Sequence, residues 1–224
     1  MVARPSLEEL VAPARARAAA LKAESLGVTL TTEIPRAYDR ESALGNLFAD
    51  LMRQAEPSAD VAITNGGGLR ADLPAGELTY GRLYESFPFD NQLTQVTTTG
   101  RVLYRMLEKN LRSRGGALSL SGVRVSASCT PGGLRVDARR ANGARIREDE
   151  RLTLVTTDFL ATGGDNALGL APDNAKVTVL EGRLVRDEMA KELRARRGAL
   201  GASEFFDAKK PRWTLPGPRP LTCR

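Results

Sequence analysis

The sequence contains no histidine. Metal centres of hydrolases usually bind their ions through imidazole nitrogens, and general acid–base catalysis often uses the same ring. A Ser-His-Asp triad and a Cys-His pair are therefore excluded. Any catalysis within this chain must rely on carboxylates, lysine, tyrosine or cysteine alone.

Long apolar runs are missing as well. No hydrophobic stretch approaches the roughly 20 residues that a membrane-spanning helix needs, so we expect a soluble chain without a membrane partner. The first 27 residues carry charges throughout and lack the apolar core of a secretory signal, so we expect no export signal in them. The 224 residues suit one large domain or two small ones, and we interpret them as one.

Cysteine is scarce, with only Cys129 and Cys223 present. Two residues so far apart do not fit the spacing of a zinc knuckle. In an exported protein they can pair, whereas in a reducing compartment they stay free. Geometry decides between these outcomes, and the sequence leaves both open.

Positive charge is in excess, because 33 lysines and arginines face 27 acidic residues, for a net charge of +6. Such a balance favours anionic partners. The arginines are dispersed and aromatic residues make up only 5%, so clusters such as Arg139 and Arg140 are interpreted as solvated faces. A nucleotide or phosphate ligand fits this charge as well as a nucleic-acid polymer does. Our expectation is a nucleoside or nucleotide ligand and no nucleic-acid partner.

Hydrophobic periodicity predicts helices alternating irregularly with strands. Ser6 is predicted to cap a helix that runs to about Ser25, with Gly27 as its stop. Further helices are predicted over residues 41–56, 82–87, 101–112 and 184–196. Strands are predicted over residues 28–34, 61–65, 77–80, 93–98, 118–125, 134–136, 152–156 and 177–179.

This order of elements predicts an α+β fold with a mixed β-sheet covered by helices. The single domain over residues 1–224 divides into an N-terminal helix (1–27), a core (28–197) and an extended, proline-rich tail (209–224). Four prolines forbid a helix or a central strand in that tail, and Trp213 is its expected anchor.

A polar, glycine-rich corner follows the predicted strand over residues 61–65. Asn65 carries an amide that can both donate and accept hydrogen bonds. The glycines at 66–68 can adopt positive φ and allow a ligand close to the backbone. Arg70 adds a planar set of donors suited to a carboxylate, a phosphate or a sugar diol. The alternative interpretation is a tight turn followed by a surface arginine.

Four segments stand in the order typical of one protein family: ESALGNLFADLM, ITNGGGLR, LTYGRLYESFPFDNQLTQVTTTGRVLYRMLE and TTDFLATGGDNA. Together they resemble the C-terminal domain of the 5′-nucleotidases, a family that includes bacterial UDP-sugar hydrolases and 2′,3′-cyclic phosphodiesterases. The resemblance covers roughly residues 28–197. Each segment alone has low specificity, but four in order are a strong indication.

The resemblance implies a division of labour between two domains. In the family, an N-terminal metallophosphoesterase domain holds two divalent metal ions and performs the hydrolysis, while the C-terminal domain binds the nucleoside. This chain resembles only the second domain, so no cofactor is expected in it. The resemblance implies a metallophosphoesterase domain as partner, in cis or in trans, and a periplasmic or extracellular location.

The same resemblance implies a set of ligand-binding residues. The base is expected between the rings of Phe89 and Phe159, with Asn91 at its edge. The positions that match ribose- or substrate-contacting residues are Asn65, Gly67, Arg70 and Asp165. From the residues alone, both phenylalanines are more typical of a core, and Asp165 of a turn.

The chain departs from the family in the segment before Gly45. Relatives often carry an arginine seven residues before this glycine, where this chain has Tyr38. Arg40 and Arg36 are the nearby candidates to replace it. The family's asparagine two residues before the glycine is Ala43 here. We therefore expect a substrate preference other than adenine nucleotides, or weak binding.

The first hypothesis is the nucleotide-binding, specificity-determining domain of a 5′-nucleotidase-type phosphohydrolase, inactive alone because the metal-binding domain is absent. The alternative is a stand-alone, non-catalytic module that binds a nucleoside or nucleotide. A third hypothesis is a domain that keeps the fold only for protein contacts. The pair of phenylalanines and Asp165 argue against this third hypothesis.

Overall fold

The computed structural model describes residues 6–166 and 175–223. The helices are α1 (Leu7–Ala23), α2 (Ala43–Ala55), α3 (Tyr80–Ser86), α4 (Gly100–Arg112), α5 (Asp158–Ala161), α6 (Val185–Arg196) and α7 (Ala202–Phe205). The strands are β1 (Ser25–Leu30), β2 (Val61–Asn65), β3 (Gly76–Thr79), β4 (Gln92–Thr99), β5 (Leu118–Ser121), β6 (Arg124–Thr130), β7 (Gly133–Arg139), β8 (Arg151–Thr157), β9 (Lys176–Leu184), β10 (Gly198–Leu200) and β11 (Trp213–Thr214). Short 3-10 turns occupy Gly66–Gly68 and Gly164–Asn166.

The strands form sheets in the orders β5-β2-β8-β4-β9, β10-β1-β3 and β11-β6-β7. In the five-stranded sheet β2 and β8 run parallel, with Val61 opposite Leu154, while the other neighbours are antiparallel. The predicted α+β fold with a mixed sheet is therefore confirmed, although the strands divide among three sheets.

Helix α2 lies between the five-stranded sheet and α6. Its apolar side chains recur every three or four residues, so they share one face and all of them are buried. These side chains are Leu44, Leu47, Phe48, Leu51 and Met52. Each contributes about 1.5–3 kcal/mol relative to an exposed position, and together they hold the neighbouring end of β2 in place.

Helix α1 begins as predicted. The Ser6 hydroxyl accepts a hydrogen bond from the Glu9 amide at 3.2 Å, and the Glu9 carboxylate accepts one from the Ser6 amide at 2.7 Å. None of its described residues is buried. Among the described residues, no helix is long and apolar enough to cross a membrane.

Two glycines differ from their predicted roles. Gly27 does not stop α1, which ends at Ala23; it lies in β1 with φ of 69°, where the pairing with β3 shifts register. The strand predicted over residues 118–125 is split by Gly122, which has φ of 83° and packs against the Asp60 carbonyl. Positive φ is a backbone requirement that apolar periodicity does not reveal.

The proline-rich segment lies along the surface of the domain and is anchored at several points. Trp213 pairs with Val125 of β6, and its indole N–H donates to the Leu118 carbonyl at 2.9 Å. The predicted anchoring by Trp213 is confirmed. Farther along, Cys223 forms a disulfide with Cys129, and their Cα atoms are 5.1 Å apart.

Candidate functional site

A cleft of about 450 Å³ opens where the parallel strands β2 and β8 end. Its volume falls in the range of small-molecule sites. Seven of the eight predicted site residues line it: Asn65, Gly67, Arg70, Phe89, Asn91, Phe159 and Asp165. Residues from distant parts of the sequence thus meet in one place.

The glycine turn at the end of β2 forms the floor of the cleft. Gly66 packs so tightly against the preceding loop that a Cβ atom would lie 2.7 Å from the Tyr38 carbonyl oxygen. A Cβ atom on Gly67 would face the Asn65 amide and the Asp165 carboxylate at 3.2 and 3.6 Å. The turn is 3-10 helical and none of its three glycines has positive φ. Close approach, rather than a left-handed backbone, explains these glycines.

Asp165 meets Asn65 across the cleft, and the Asn65 side-chain amide donates to its carboxylate. Asp165 has φ of 52° and ψ of 14°, a left-handed conformation that aspartate tolerates better than most residues. Its side chain is exposed. An ionised carboxylate only accepts hydrogen bonds, so this arrangement offers an acceptor to a ligand hydroxyl.

Phe159 lies in the first turn of α5. Thr157 caps this helix by accepting a hydrogen bond from the Leu160 amide at 3.2 Å. Phe159 is 46% exposed, which is unusual for phenylalanine. A Cβ atom on Gly164 would lie 2.5 Å from the ring, so glycine at this position leaves space for it.

Phe89 is partly buried on the other side of the cleft. Its ring meets that of Phe87 edge-on, with centroids 5.7 Å apart and an interplanar angle of 79°. The Arg70 guanidinium carbon lies 5.1 Å from the centroid of the Phe89 ring, within the range of a cation–π contact. Arg70 therefore presents its charge beside one of the two predicted stacking rings.

A buried arginine that sequence reasoning missed holds the Phe89 turn. Arg186 of α6 donates to the carbonyl of Phe89 at 3.0 Å and to the carboxylate of Asp90 at 2.8 Å. Burial lowers the pKa of Arg186, but hydrogen bonds to Tyr80 and Asp90 outweigh this and raise the pKa above its ordinary value. Because Arg186 stays charged, the turn has a permanent donor beneath it.

Asn91 connects the two sides of the cleft. Its side-chain amide donates to the Asp158 carboxylate at 2.7 Å, and the same oxygen accepts from the Phe159 amide at 2.7 Å. The turn that carries Phe89 is thus tied to the helix that carries Phe159. Contact between Asn91 and a base edge stays a prediction.

Arg40 lies outside the cleft, unlike the other predicted residues. Its side chain is 76% exposed, pairs with Asp39 at 3.1 Å and lines a separate groove. Arg36 and Tyr38, from the same loop, line the cleft instead. Arg36 donates to the Leu69 carbonyl at 3.4 Å, which directs it towards the glycine turn. Of the two arginines proposed to replace the family's arginine, the fold brings only Arg36 to the cleft.

The acidic side chains of the described residues do not gather into a metal centre. Within residues 6–166 and 175–223, no three acidic or cysteine side chains come together to hold an ion. The resemblance assigns the two metal ions to the N-terminal metallophosphoesterase domain and not to the domain that this chain resembles.

Comparison with known proteins gives one family. The model described as 5′-nucleotidase, C-terminal domain, matches residues 19–171. The chain is 37% identical over 125 residues to the endonuclease YhcR of Bacillus subtilis, covering 55% of this chain and 10% of that protein. It is 32% identical over 161 residues to the trifunctional nucleotide phosphoesterase YfkN of the same organism, covering 65% and 11%.

A solved structure agrees with this assignment. The 5′-nucleotidase precursor from Thermus thermophilus superimposes with a TM-score of 0.76 and 25% identity, over 93% of this chain and 42% of that one. The chain thus spans about a tenth of the two curated relatives and about two fifths of the solved protein.

Proposed function

Because the chain belongs to the 5′-nucleotidase C-terminal domain family, we propose that it is the nucleotide-binding, specificity-determining domain of a 5′-nucleotidase-type phosphohydrolase. One observation carries the proposal. A half-exposed phenylalanine, a second aromatic ring and an oriented carboxylate line a single cleft of nucleoside size. The two aromatic rings match the flat base of a nucleoside, and the carboxylate matches its two ribose hydroxyls.

The base stacks on Phe159 and against Phe89. An exposed aromatic ring is apolar surface in contact with water, so covering it with a base favours binding. Base–aromatic stacking contributes about 1–3 kcal/mol per base. Stacking accepts every base, so it supplies affinity without deciding among bases. Discrimination then falls to hydrogen bonds at the base edge, where Asn91 is the candidate.

The ribose hydroxyls donate to Asp165, whose carboxylate is oriented by Asn65. Arg70 and Arg36 line the same cleft and give it positive charge. Guanidinium groups bind phosphate oxygens in a bidentate geometry, so the phosphate of a nucleotide is held at the side of the cleft that these arginines line.

Hydrolysis is carried out elsewhere in this proposal. A metallophosphoesterase domain, in cis or in trans, holds two divalent metal ions and cleaves the phosphate that this domain presents. The disulfide between Cys129 and Cys223 supports a periplasmic or extracellular location, since such bonds persist in oxidising compartments.

Calorimetric titration tests the binding role. The chain is titrated with adenosine, AMP, UMP and UDP-glucose, and at least one of them is expected to bind saturably with one-to-one stoichiometry. The same ligand should bind more weakly to the variant Phe159→Ala. Absence of saturable binding for all four ligands, in protein shown to be folded, would overturn the proposal.

A further inference from the structure

Arg219 of the proline-rich segment lies outside the cleft and lines the groove that also contains Arg40. Its guanidinium donates to the carbonyl of Asn110 at 3.1 Å, of Ser113 at 3.5 Å and of Gly115 at 3.3 Å. It also donates to the carbonyl of Asp39 at 3.2 Å. One side chain therefore joins two loops that the backbone does not connect directly.

The first of these loops follows helix α4. The last carbonyls of a helix lack partners within it, and a cation at that end is favourable. Arg219 supplies the donors, and the Leu221 amide adds another to the Leu111 carbonyl at 2.8 Å. The direction of the chain after α4 is thus fixed by the proline-rich segment.

Both loops continue directly into the cleft wall. The Ala117 amide donates to the Tyr38 carbonyl at 2.7 Å, and the Ala117 carbonyl accepts from the Gly66 amide at 2.8 Å. A Cβ atom on Gly116 would lie 3.0 Å from the Gly67 nitrogen and 3.4 Å from the Tyr38 ring. Tyr38 and the glycine turn therefore contact the loops to which Arg219 is hydrogen-bonded.

The segment that carries Arg219 is fixed on both sides of it. Arg212 pairs with the Asp50 carboxylate through two bonds of 2.8 and 2.7 Å, and Trp213 joins β6. On the other side, Cys223 is bound covalently to Cys129. The disulfide is the covalent anchor nearest to Arg219.

We infer that Arg219 is a positioning residue for the nucleoside cleft. It holds Tyr38 and the turn Gly66–Gly68 at the separation that a ligand requires, and the disulfide keeps Arg219 in place. The nature of the ligand rests on the proposed function, whereas the positioning itself does not. The guanidinium is required because it reaches four carbonyls at once, which a single ammonium does not do.

Hydrogen exchange measures the positioning without any ligand. In the variant Arg219→Gln, the amides of Gly66 and Ala117 should exchange about tenfold faster than in the unchanged protein, because their loops open locally. The amide of Val155, in the middle of the large sheet, is the reference for global unfolding. The matched control is Arg124→Gln, since exposed Arg124 donates to the Pro211 carbonyl of the same segment at 2.9 Å.

Equal acceleration at Gly66, Ala117 and Val155 would overturn the inference, because it would reveal a general loss of stability. Unchanged exchange at Gly66 and Ala117 would overturn it as well. Should Arg219→Gln fail to fold, Arg219→Lys and reduction of the disulfide with dithiothreitol give the same comparison. Both are expected to accelerate exchange at the same two amides, and no selective acceleration in either would again overturn it.

Affinity gives the second readout. The best-binding member of the nucleotide panel should bind Arg219→Gln about tenfold more weakly, equivalent to about 1.4 kcal/mol, while Arg124→Gln binds it unchanged. If the unchanged protein binds none of the panel, the proposed function fails, and the exchange measurement still decides the role of Arg219. If affinity is unaffected while exchange rises, Arg219 orders the loops without positioning the ligand, and the inference is wrong.

Discussion

The side-chain amide of Asn65 donates to the carboxylate of Asp165, although the two residues are 100 positions apart in the chain. Asn65 ends β2, and Asp165 follows the helix at the end of β8, so the bond joins two parallel strands at the mouth of the cleft. It holds one carboxylate oxygen in place and stabilises a left-handed residue. A ligand therefore meets an acceptor that is already oriented.

The variant Asp165→Asn tests this orientation. We expect it to weaken binding of the preferred nucleoside by roughly 1.5–3 kcal/mol, the usual contribution of hydrogen bonds to a charged group. The 2′,3′-dideoxy analogue should bind both proteins alike, because it has no hydroxyls to donate. Calorimetry of the four combinations measures the effect. An equal loss for both ligands would mean that Asp165 does not contact the ribose.

Removing the exposed ring should affect binding more than folding. Phe159→Ala is expected to weaken nucleoside binding by about 1–3 kcal/mol through lost stacking. The free energy of unfolding should fall by less than the roughly 3–5 kcal/mol expected for a fully buried phenylalanine, because Phe159 is 46% exposed. Urea unfolding and calorimetry measure the two quantities.

Phe206→Ala is the matched control for this variant. Phe206 is 37% exposed and lines a different groove, so its removal should leave nucleoside affinity unchanged. If Phe159→Ala instead collapses stability while the affinity is retained, Phe159 is a core residue and the stacking role is wrong.

The chain alone should not release phosphate from AMP in the presence of Mn²⁺, Co²⁺ or Zn²⁺. The physical reason is the lack of histidine in the sequence and of a suitable ligand cluster among the described residues. A phosphate-release assay on repurified protein measures this. Turnover that persists through repurification and disappears in a carboxylate variant would contradict the expectation.

Stability should depend on pH through Glu56, the residue that follows α2 as its C-cap. Burial raises the pKa of Glu56, but hydrogen bonds from Ser58 and Arg183 outweigh burial and hold the pKa below its usual range. Arg183 contacts Glu56 and Glu188 at 2.8 Å each. Because the pKa of Glu56 is lower in the folded state than in the unfolded state, its ionisation stabilises the fold at pH values above about 4.3, the pKa of an unperturbed glutamate. This stabilisation is lost as the pH falls through the pKa of the folded state.

Glu56→Gln should therefore reduce the free energy of unfolding at pH 7, with the difference shrinking below about pH 4. Urea unfolding at several pH values measures it. Glu108→Gln removes a more exposed pair with Arg112 and should have a much smaller effect at pH 7. If the difference in the free energy of unfolding between Glu56→Gln and the unchanged protein grows towards low pH, the prediction is wrong.

Helices and central strands were predictable because burial imposes a period on the sequence. Helices α2 and α4 and strands β2, β4 and β8 were predicted to within about two residues at each end. Local backbone requirements were not predictable. Gly27 was predicted as a helix stop and Gly122 as part of one continuous strand, whereas the structure places a register shift in β1 at Gly27 and positive φ at both glycines.

The cleft was predictable through the family resemblance more than through chemistry. Nothing in the local pattern distinguishes exposed Phe159 from a core phenylalanine. The supporting residues Arg186 and Arg219 were missed, because many of their partners are backbone carbonyls. Every residue type has a backbone carbonyl, so the sequence does not show which ones accept these hydrogen bonds. Arg36 and Arg40 are equally close in sequence to Tyr38, and only the conformation of the loop shows that Arg36 lines the cleft and Arg40 does not.

The parallel pairing of β2 with β8 has a consequence for how the chain reaches its folded state. The Thr156 hydroxyl donates to the Ile63 carbonyl, 93 positions earlier in the chain, and such a long-range closure costs entropy and is slow. The cleft exists only after that closure, so partly folded forms offer no binding site. A ligand that fills it acts on the native state alone, contributing about 2.7 kcal/mol at a concentration 100 times its Kd. Such a ligand would also protect the domain from proteases that cut the unfolded chain.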